Sequence, residues 1–219
     1  MIESIDEVAA KIVLAMDDGD SINHLSKKID QSYSWTHEWI HRLIDTGIIE
    51  RTGDGYRVAD SDAREAFMRV VQAVTTHGIS RDEAYMIPHF ANMSFAFTRI
   101  DAAYIWTHGG YQIARDYTDY PVFIAVTDDD IEAWCEFFTA CGIDTFIEER
   151  SGSGIYYVLY PVENVESEWV DGYPVIPLAD AIDWMKQYRA NFQPALEIIA
   201  DDYDDRPVTQ NALGEVITA

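Results

Sequence analysis

Two histidines flanking a glutamate form the most chemically suggestive group in this sequence of 219 residues. His37 and His41 are four positions apart, and Glu38 lies between them. Residues i and i+4 share one face of a helix, so the two imidazoles could bind one Zn²⁺ while the carboxylate acts as a general base. The spacing is therefore typical of metal-assisted hydrolysis.

The surrounding sequence argues against a protease. This pattern matches the HExxH signature of the zincin metalloproteases, which place the signature helix after a sheet that aligns the peptide, whereas the residues before His37 are predicted to be helical. No third ligand is assigned, since Glu65, the nearest downstream acid after Asp60 and Asp62, falls in a separate amphipathic segment. We therefore expect no catalytic residue and no metal site, with a regulatory metal on His37 and His41 as the remaining alternative.

The elements that must position this pair are three short helices and a hairpin. Apolar residues at helical spacing predict a first helix from about Ile5 to Met16. Ser21 is expected to cap a second helix, and Ser34 a third that stops at Gly47. Residues 48–51 and 56–58 predict two strands joined by a turn that contains two glycines.

In residues and order, this stretch resembles the winged-helix transcription-factor superfamily, especially in "WIHRLIDTGIIERTGDGYRV". The resemblance implies a DNA-binding domain over residues 1–60, with the third helix in the major groove of double-stranded DNA and the hairpin on phosphates. A small helical domain that binds another protein is the alternative. The expected DNA-binding residues are Lys27, Lys28, Tyr33, Ser34, Thr36, His37, His41, Arg42, Arg51 and Arg57.

Residues 61–78 predict a linking helix that Ser61 caps and Gly78 ends. Its apolar residues at helical spacing could pair two copies of the chain, because two DNA-binding modules together recognise two half-sites. We therefore expect a homodimer. Packing against the neighbouring domain is the alternative.

Residues 79–203 mix helical and strand patterns, so the predicted fold class is α+β, with a mixed α/β second domain. Strands are expected at residues 122–126, 145–148, 155–160 and 174–176, and a long helix at about 178–202. Neither a GxGxxG fingerprint after a strand nor a GxxxxGK[ST] loop occurs. We therefore expect no cofactor of the kinds that those motifs bind.

The segment "THGGYQIARDYTDYPVFIAV" resembles the nucleotidyltransferase-fold superfamily. Gly109 and Gly110 match the family's turn after a short helix, and Asp119 matches its first metal-binding acid. Pro121 stands where the second acid belongs, and one carboxylate cannot hold the Mg²⁺ ions of the transfer reaction. The resemblance implies a degenerate, non-enzymatic domain, with an active nucleotidyltransferase as the alternative.

The combination of the two domains resembles, in arrangement, the antitoxins of the abortive-infection type IV toxin-antitoxin systems. It implies a regulator that represses its own operon and has a cognate toxin as a partner. A plain regulator whose second domain senses a small ligand or forms the dimer is equally compatible. The residues expected at a ligand site are Trp106, His108, Gly109, Gly110, Tyr111 and Asp119, although the hydrophobic core is the alternative role for the aromatic ones.

The composition is strongly acidic, with a formal net charge of -24. Aspartate outnumbers glutamate 24 to 15 and arginine outnumbers lysine 11 to 4, which is similar to proteins of haloarchaeal cytoplasm. Residues 1–60 hold six of the 15 basic residues against 12 acids, so basic residues are enriched where DNA is expected. We expect a cytoplasmic protein without a membrane partner, with core cysteines at positions 135 and 141 and an acidic, polar tail over residues 204–219.

Overall fold

The computed structural model describes residues 6–113, 115–116 and 118–203, and shows a mixed α+β fold. The helices are α1 (Glu7–Ala15), α2 (Ile22–Lys28), α3 (Tyr33–Asp45), α4 (Ser61–Thr75), α5 (Arg81–Met86), α6 (Arg99–Trp106), α7 (Ile131–Ala140), α8 (Leu178–Gln187) and α9 (Arg189–Tyr203). The strands are β1 (Ile49–Arg51), β2 (Tyr56–Val58), β3 (Phe95–Phe97), β4 (Asp119–Thr127), β5 (Thr145–Ile147), β6 (Gly154–Val162), β7 (Glu168–Val170) and β8 (Tyr173–Val175).

The chain divides into two compact units, and neither is a single continuous segment. Unit 1 comprises Met1–Met93 together with Glu132–Thr145, and unit 2 comprises Ser94–Ile131 together with Phe146–Ala219. The predicted boundaries at residues 60 and 78 both lie inside unit 1, which also includes nearly all of α7. The predicted tail, residues 204–219, and the predicted start of the first helix at Ile5 lie outside the described residues.

Unit 1 begins with the predicted series of three helices and a hairpin. The side chains of Asp6 and Ser21 accept hydrogen bonds from the first turns of α1 and α2. The prediction that Ser34 caps the third helix is wrong, because Ser32 accepts from the amide of Trp35 and Ser34 lies inside α3. Ser32 and Ser34 are only two residues apart in a polar segment, so the sequence alone does not show which of them caps the helix.

The first three helices pack through apolar side chains at helical spacing. Ile12 of α1, Leu25 of α2, and Ile40 and Leu43 of α3 are fully buried. Burial of each such side chain contributes on the order of 1.5–3 kcal/mol, which holds helices too short to be stable alone. The predicted start of α4 is wrong by one residue, since Asp60 rather than Ser61 caps this helix.

Unit 2 is built on a six-stranded mixed sheet with the order β5-β6-β4-β3-β8-β7. Strand β4 runs antiparallel to β3 and parallel to β6, and β3 runs parallel to β8. The predicted strands all occur, whereas the single long helix predicted at 178–202 is two helices, α8 and α9, that meet at Tyr188.

Two remaining expectations concern cysteines and membranes. Cys141 is fully buried, and burial raises the pKa of its thiol to about 11, so this cysteine is an unreactive core residue as predicted. Cys135, also predicted to be a core residue, is only partly buried. Within the part of the chain that the structure describes, no helix combines the length and the apolar character needed to span a bilayer.

Candidate nucleic-acid interface

Helix α3 has one buried apolar face and one exposed polar face. Trp39, Ile40 and Leu43 point into the core of unit 1. The opposite face is polar because the intervening positions of the 3.6-residue repeat carry hydroxyl, imidazole and charged side chains. The predicted DNA-binding residues that are exposed on α3 are Tyr33, Ser34, His37, His41 and Arg42.

The hairpin after α3 exposes the other two predicted arginines. Glu50 of β1 is the cross-strand partner of Arg57 of β2, and the Arg57 guanidinium forms an ion pair with the Glu50 carboxylate. Arg51 is exposed at the end of β1. Both arginines are therefore accessible, and an exposed ion pair of about 0–1 kcal/mol leaves Arg57 able to exchange Glu50 for another anion at little cost.

Backbone hydrogen bonds attach this hairpin to the loop between α1 and α2. The amide of Gly19 donates to the carbonyl oxygen of Tyr56 at 3.0 Å, and the amide of Tyr56 donates to the carbonyl oxygen of Asp20 at 3.0 Å. A two-stranded hairpin is only marginally stable alone. These two bonds therefore help to fix the position of Arg57, the next residue along β2.

Lys28 does not lie on the exposed surface, which contradicts its predicted role in binding phosphate. Its side chain has no exposed area, and its Nζ lies 2.6 Å from Asp17 Oδ2 and 2.8 Å from Asp20 Oδ2. Burial alone would raise the pKa of Asp20, but hydrogen bonds from His24 and Lys28 outweigh burial and lower it. Lys28 is thus a structural cation, whereas the adjacent Lys27 is exposed.

Thr36 is also buried, contrary to its predicted place on the DNA-facing surface. It is 0% exposed, and its hydroxyl donates to the carbonyl oxygen of Ser32 at 3.0 Å. The position belongs to the apolar face of α3, where a threonine can satisfy its hydroxyl only against the preceding turn. The surface predicted from sequence therefore loses Lys28 and Thr36.

The sequence prediction missed Trp35, which is 41% exposed. Its ring meets Trp39 edge to face, with 6.2 Å between the ring centroids, and the Arg42 guanidinium lies 4.8 Å from the Trp39 ring centroid. A guanidinium held over an indole keeps its charge while gaining a cation–π contact. The helical spacing of the apolar residues could have indicated that Trp35 is exposed, because this position lies outside the buried stripe of α3.

The imidazole rings of His37 and His41 approach each other with their Nε2 atoms. Their Nε2 atoms are 3.2 Å apart and their ring centroids 4.4 Å apart, and both side chains are exposed. Two imidazole nitrogens at this distance share one hydrogen bond, in which one protonated Nε2 donates to the other. Glu38, between them in sequence, forms an ion pair with Arg42 instead. The arrangement does not include a general base beside the two imidazoles.

In unit 2, Trp106 is a core residue and not an accessible ligand-stacking side chain. It is 0% exposed, and its indole Nε1 donates to the carbonyl oxygen of Ile176 at 3.0 Å. His108 lies nearby, since both rings contact Tyr203. Nδ1 of His108 is 2.5 Å from Asp171 Oδ2, and its Nε2 is 3.0 Å from the Tyr203 hydroxyl. His108 thus links three elements of unit 2.

The two glycines after α6 form the predicted turn. Gly109 has a φ of +77°, and a Cβ on Gly110 would lie 2.9 Å from the carbonyl oxygen of Thr107. The hydroxyl of Tyr111, which follows the turn, donates to the carbonyl oxygen of Asn191. These contacts give the glycines and Tyr111 a structural role in connecting α6 to α9.

Asp119 is the first residue of β4, as predicted. Its carboxylate forms an ion pair with one side chain and accepts a hydrogen bond from another. Oδ2 lies 2.6 Å from Arg150 Nη2, and Oδ1 accepts a hydrogen bond of 2.8 Å from the Tyr156 hydroxyl. Burial and the nearby Asp119 raise the pKa of Tyr156, which keeps the phenol protonated as the donor. Among the described residues, no group of three or more histidine, cysteine, aspartate or glutamate side chains is placed to bind a metal ion.

The chain matches no protein-family model and no curated protein. The geometry of α3 and of the hairpin therefore carries the functional argument.

Proposed function

We propose that this protein is a sequence-specific transcription regulator that binds double-stranded DNA through unit 1. The observation that carries the proposal is the exposed polar face of α3 together with the hairpin arginines that follow it in the chain. In this winged-helix interpretation, α3 enters the major groove, and Arg51 and Arg57 contact phosphates.

The distribution of charge supports this assignment. The predicted interface retains Lys27, Arg42, Arg51 and Arg57 as exposed cations in a chain with a net charge of -24. An acidic surface keeps a protein soluble in concentrated salt and repels nucleic acid elsewhere on the molecule. We propose a salt-rich cytoplasm as the setting in which such a protein binds DNA.

We propose that α4 joins two copies of the chain into a dimer. Only Thr75 of its 15 residues is buried, and Val70 and Val74 are 60% and 61% exposed. Both valines line an apolar groove of about 300 Å³ between α4, α1 and α5. A second α4 is the favoured occupant, because a two-fold partner supplies the same apolar stripe and doubles the DNA contacts.

For unit 2 we propose a sensing or dimerisation role without nucleotidyl transfer, with a small ligand or a cognate toxin as its partner. The ion pair and hydrogen bond to Asp119 support this assignment, because Arg150 and Tyr156 occupy the oxygens that would ligate Mg²⁺. Transfer of label from a nucleoside triphosphate, dependent on Mg²⁺ and abolished by Asp119→Ala, would overturn it.

The deciding experiment is selection of bound fragments from random DNA at high KCl concentration. We expect one enriched sequence for the natural chain and loss of binding by about 1–3 kcal/mol in Arg42→Ala or Arg57→Ala. Arg189→Ala is the matched control, since it removes an exposed arginine of unit 2. If no sequence is enriched and neither interface substitution weakens binding, the regulator proposal fails.

A further inference from the structure

We propose that α3 carries a two-histidine site for a divalent transition metal, formed by Nε2 of His37 and Nε2 of His41. The two nitrogens are 3.2 Å apart on adjacent turns of one helix, and both rings are exposed. Imidazole suits Zn²⁺, Ni²⁺ and Cu²⁺ but not Mg²⁺. The site is thus a bidentate chelate for borderline metals.

The distance between the nitrogens fits a shared ion. With metal–nitrogen bonds of about 2.0–2.1 Å, two ligands are about 2.9 Å apart at a right angle and about 3.3 Å apart at the tetrahedral angle. The 3.2 Å between the two Nε2 atoms falls within this interval. A metal ion can therefore replace the proton that the two imidazoles share, with little movement of either side chain.

The neighbouring side chains leave the remaining coordination positions of the metal facing solvent. Glu38 is engaged by Arg42, and in the described parts of the chain no third histidine, cysteine or carboxylate joins the pair in a metal-binding group. Solvent molecules would fill the remaining positions. A two-ligand site binds more weakly than a structural zinc site with four protein ligands, and its preference should follow the order Cu²⁺ above Ni²⁺ above Co²⁺.

Metal binding has a regulatory consequence that rests on the proposed function, although the site itself does not. The exposed face of α3 is the surface that we propose enters the major groove, and His37 and His41 are among its base-contacting candidates. A metal ion on both imidazoles occupies the nitrogens that would contact bases. Metal and DNA should then compete for the same side chains.

The test is calorimetric titration of the full chain with NiCl₂ and ZnCl₂ in high KCl, with MgCl₂ in excess to occupy the acidic surface. We expect one equivalent of Ni²⁺ or Zn²⁺ to bind above the MgCl₂ background, with an affinity at least about tenfold lower in His37→Ala and in His41→Ala, because each substitution removes one of the two ligands. His77→Ala, which removes an exposed histidine outside the pair, should bind like the natural chain.

Two outcomes would overturn the metal site. One is the lack of a Ni²⁺ or Zn²⁺ equivalent above the MgCl₂ background, and the other is unchanged affinity in both histidine variants. Because both side chains are exposed, circular dichroism should show the variants folded. A second measurement, retention of selected DNA with and without NiCl₂, tests competition alone: unchanged retention by a protein that binds Ni²⁺ would refute the regulatory consequence and leave the site standing.

Discussion

Gly55 lies against the backbone of Gly19 so closely that a Cβ on Gly55 would be 2.3 Å from the Gly19 carbonyl oxygen. The same Cβ would be 2.5 Å from the carbonyl oxygen of Asp20. Both atoms are backbone and cannot rotate away. The hairpin can therefore keep its two hydrogen bonds to the loop between α1 and α2 only if residue 55 has no side chain.

Gly55→Ala should displace the hairpin and weaken DNA binding, because the added methyl group forces Tyr56 away from its backbone partners. Gly53→Ala is the matched control in the same turn, since a Cβ there meets no atom within 4 Å. We expect a lower free energy of unfolding and weaker DNA retention for the first variant only. Equal behaviour of the two variants would mean that the hairpin position does not matter.

Lys27 and Lys28 should separate binding from stability. Lys28→Met leaves the buried carboxylate of Asp20 without its ammonium partner, and breaking such a pair costs about 3–5 kcal/mol. Lys27→Met, at an exposed position, should change the free energy of unfolding by less than about 0.5 kcal/mol and weaken DNA binding. Urea unfolding and DNA retention measure the two effects, and the reverse assignment would contradict the structure.

His89 should make stability depend on pH. Burial, together with electrostatic repulsion from the nearby Lys28 and His24 side chains, lowers the pKa of His89 from 6.5 to about 3. Between these values the unfolded chain binds a proton that the folded chain does not, so stability is fully present above pH 6.5 and is lost as the pH falls toward 3.

Substitution of His89 tests this dependence. His89→Gln should remove a slope of about 1.4 kcal/mol per pH unit from the acid side of the unfolding profile. His77→Gln, at an exposed histidine, should leave the slope unchanged. The readout is the slope and not the absolute stability, so a less stable His89 variant is still informative. Parallel profiles for the natural chain and His89→Gln would refute the prediction.

Salt should weaken DNA binding only slightly. Release of condensed counterions favours binding to basic surfaces, and this gain diminishes as salt rises. Here Arg42 and Arg57 already carry glutamate partners, and the net charge is -24. Binding measured from low to molar KCl should therefore show a shallow slope, whereas a loss of about 10³ or more would contradict this interpretation of the acidic surface.

The dimer proposal predicts that one charge on α4 separates the two copies. Val74→Glu places a carboxylate on the exposed apolar stripe, and Gln72→Glu adds the same charge two residues away, on the other side of the helix. Sedimentation should show a monomer for Val74→Glu and a dimer for Gln72→Glu. A monomeric natural chain, or a dimeric Val74→Glu, would contradict the proposal.

Helix caps and turns could be predicted from the sequence where they depend only on a residue and its immediate neighbours in the chain. Ser21 caps α2, and Gly109 adopts positive φ after α6, because these are short-range effects. The burial of Lys28 and its ion pairs could not be predicted, since its partners Asp17 and Asp20 lie in the preceding loop and contact it only because of the tertiary fold. The same holds for Trp106, whose indole meets a carbonyl 70 residues away.

The candidate interface shows the same limit. Helical periodicity separates the exposed His37 and His41 from the buried Leu43, but it did not prevent Thr36 from being assigned to the wrong face. The ion pair between Glu50 and Arg57 depends on the strand register, which the turn sequence indicates only roughly. Pairing between side chains therefore had to come from the structure.

The location of α7 in unit 1 affects how the protein can be dissected. Trp134 and Phe138 of α7 are fully buried, and a Cβ on Gly142 would lie 3.2 Å from Thr76 at the end of α4. A fragment cut after Met93 lacks these core side chains, and a fragment that begins at Ser94 carries them without their unit. Excision of residues 1–93 alone should therefore give an unstable polypeptide unless residues 132–145 are grafted back through a short linker.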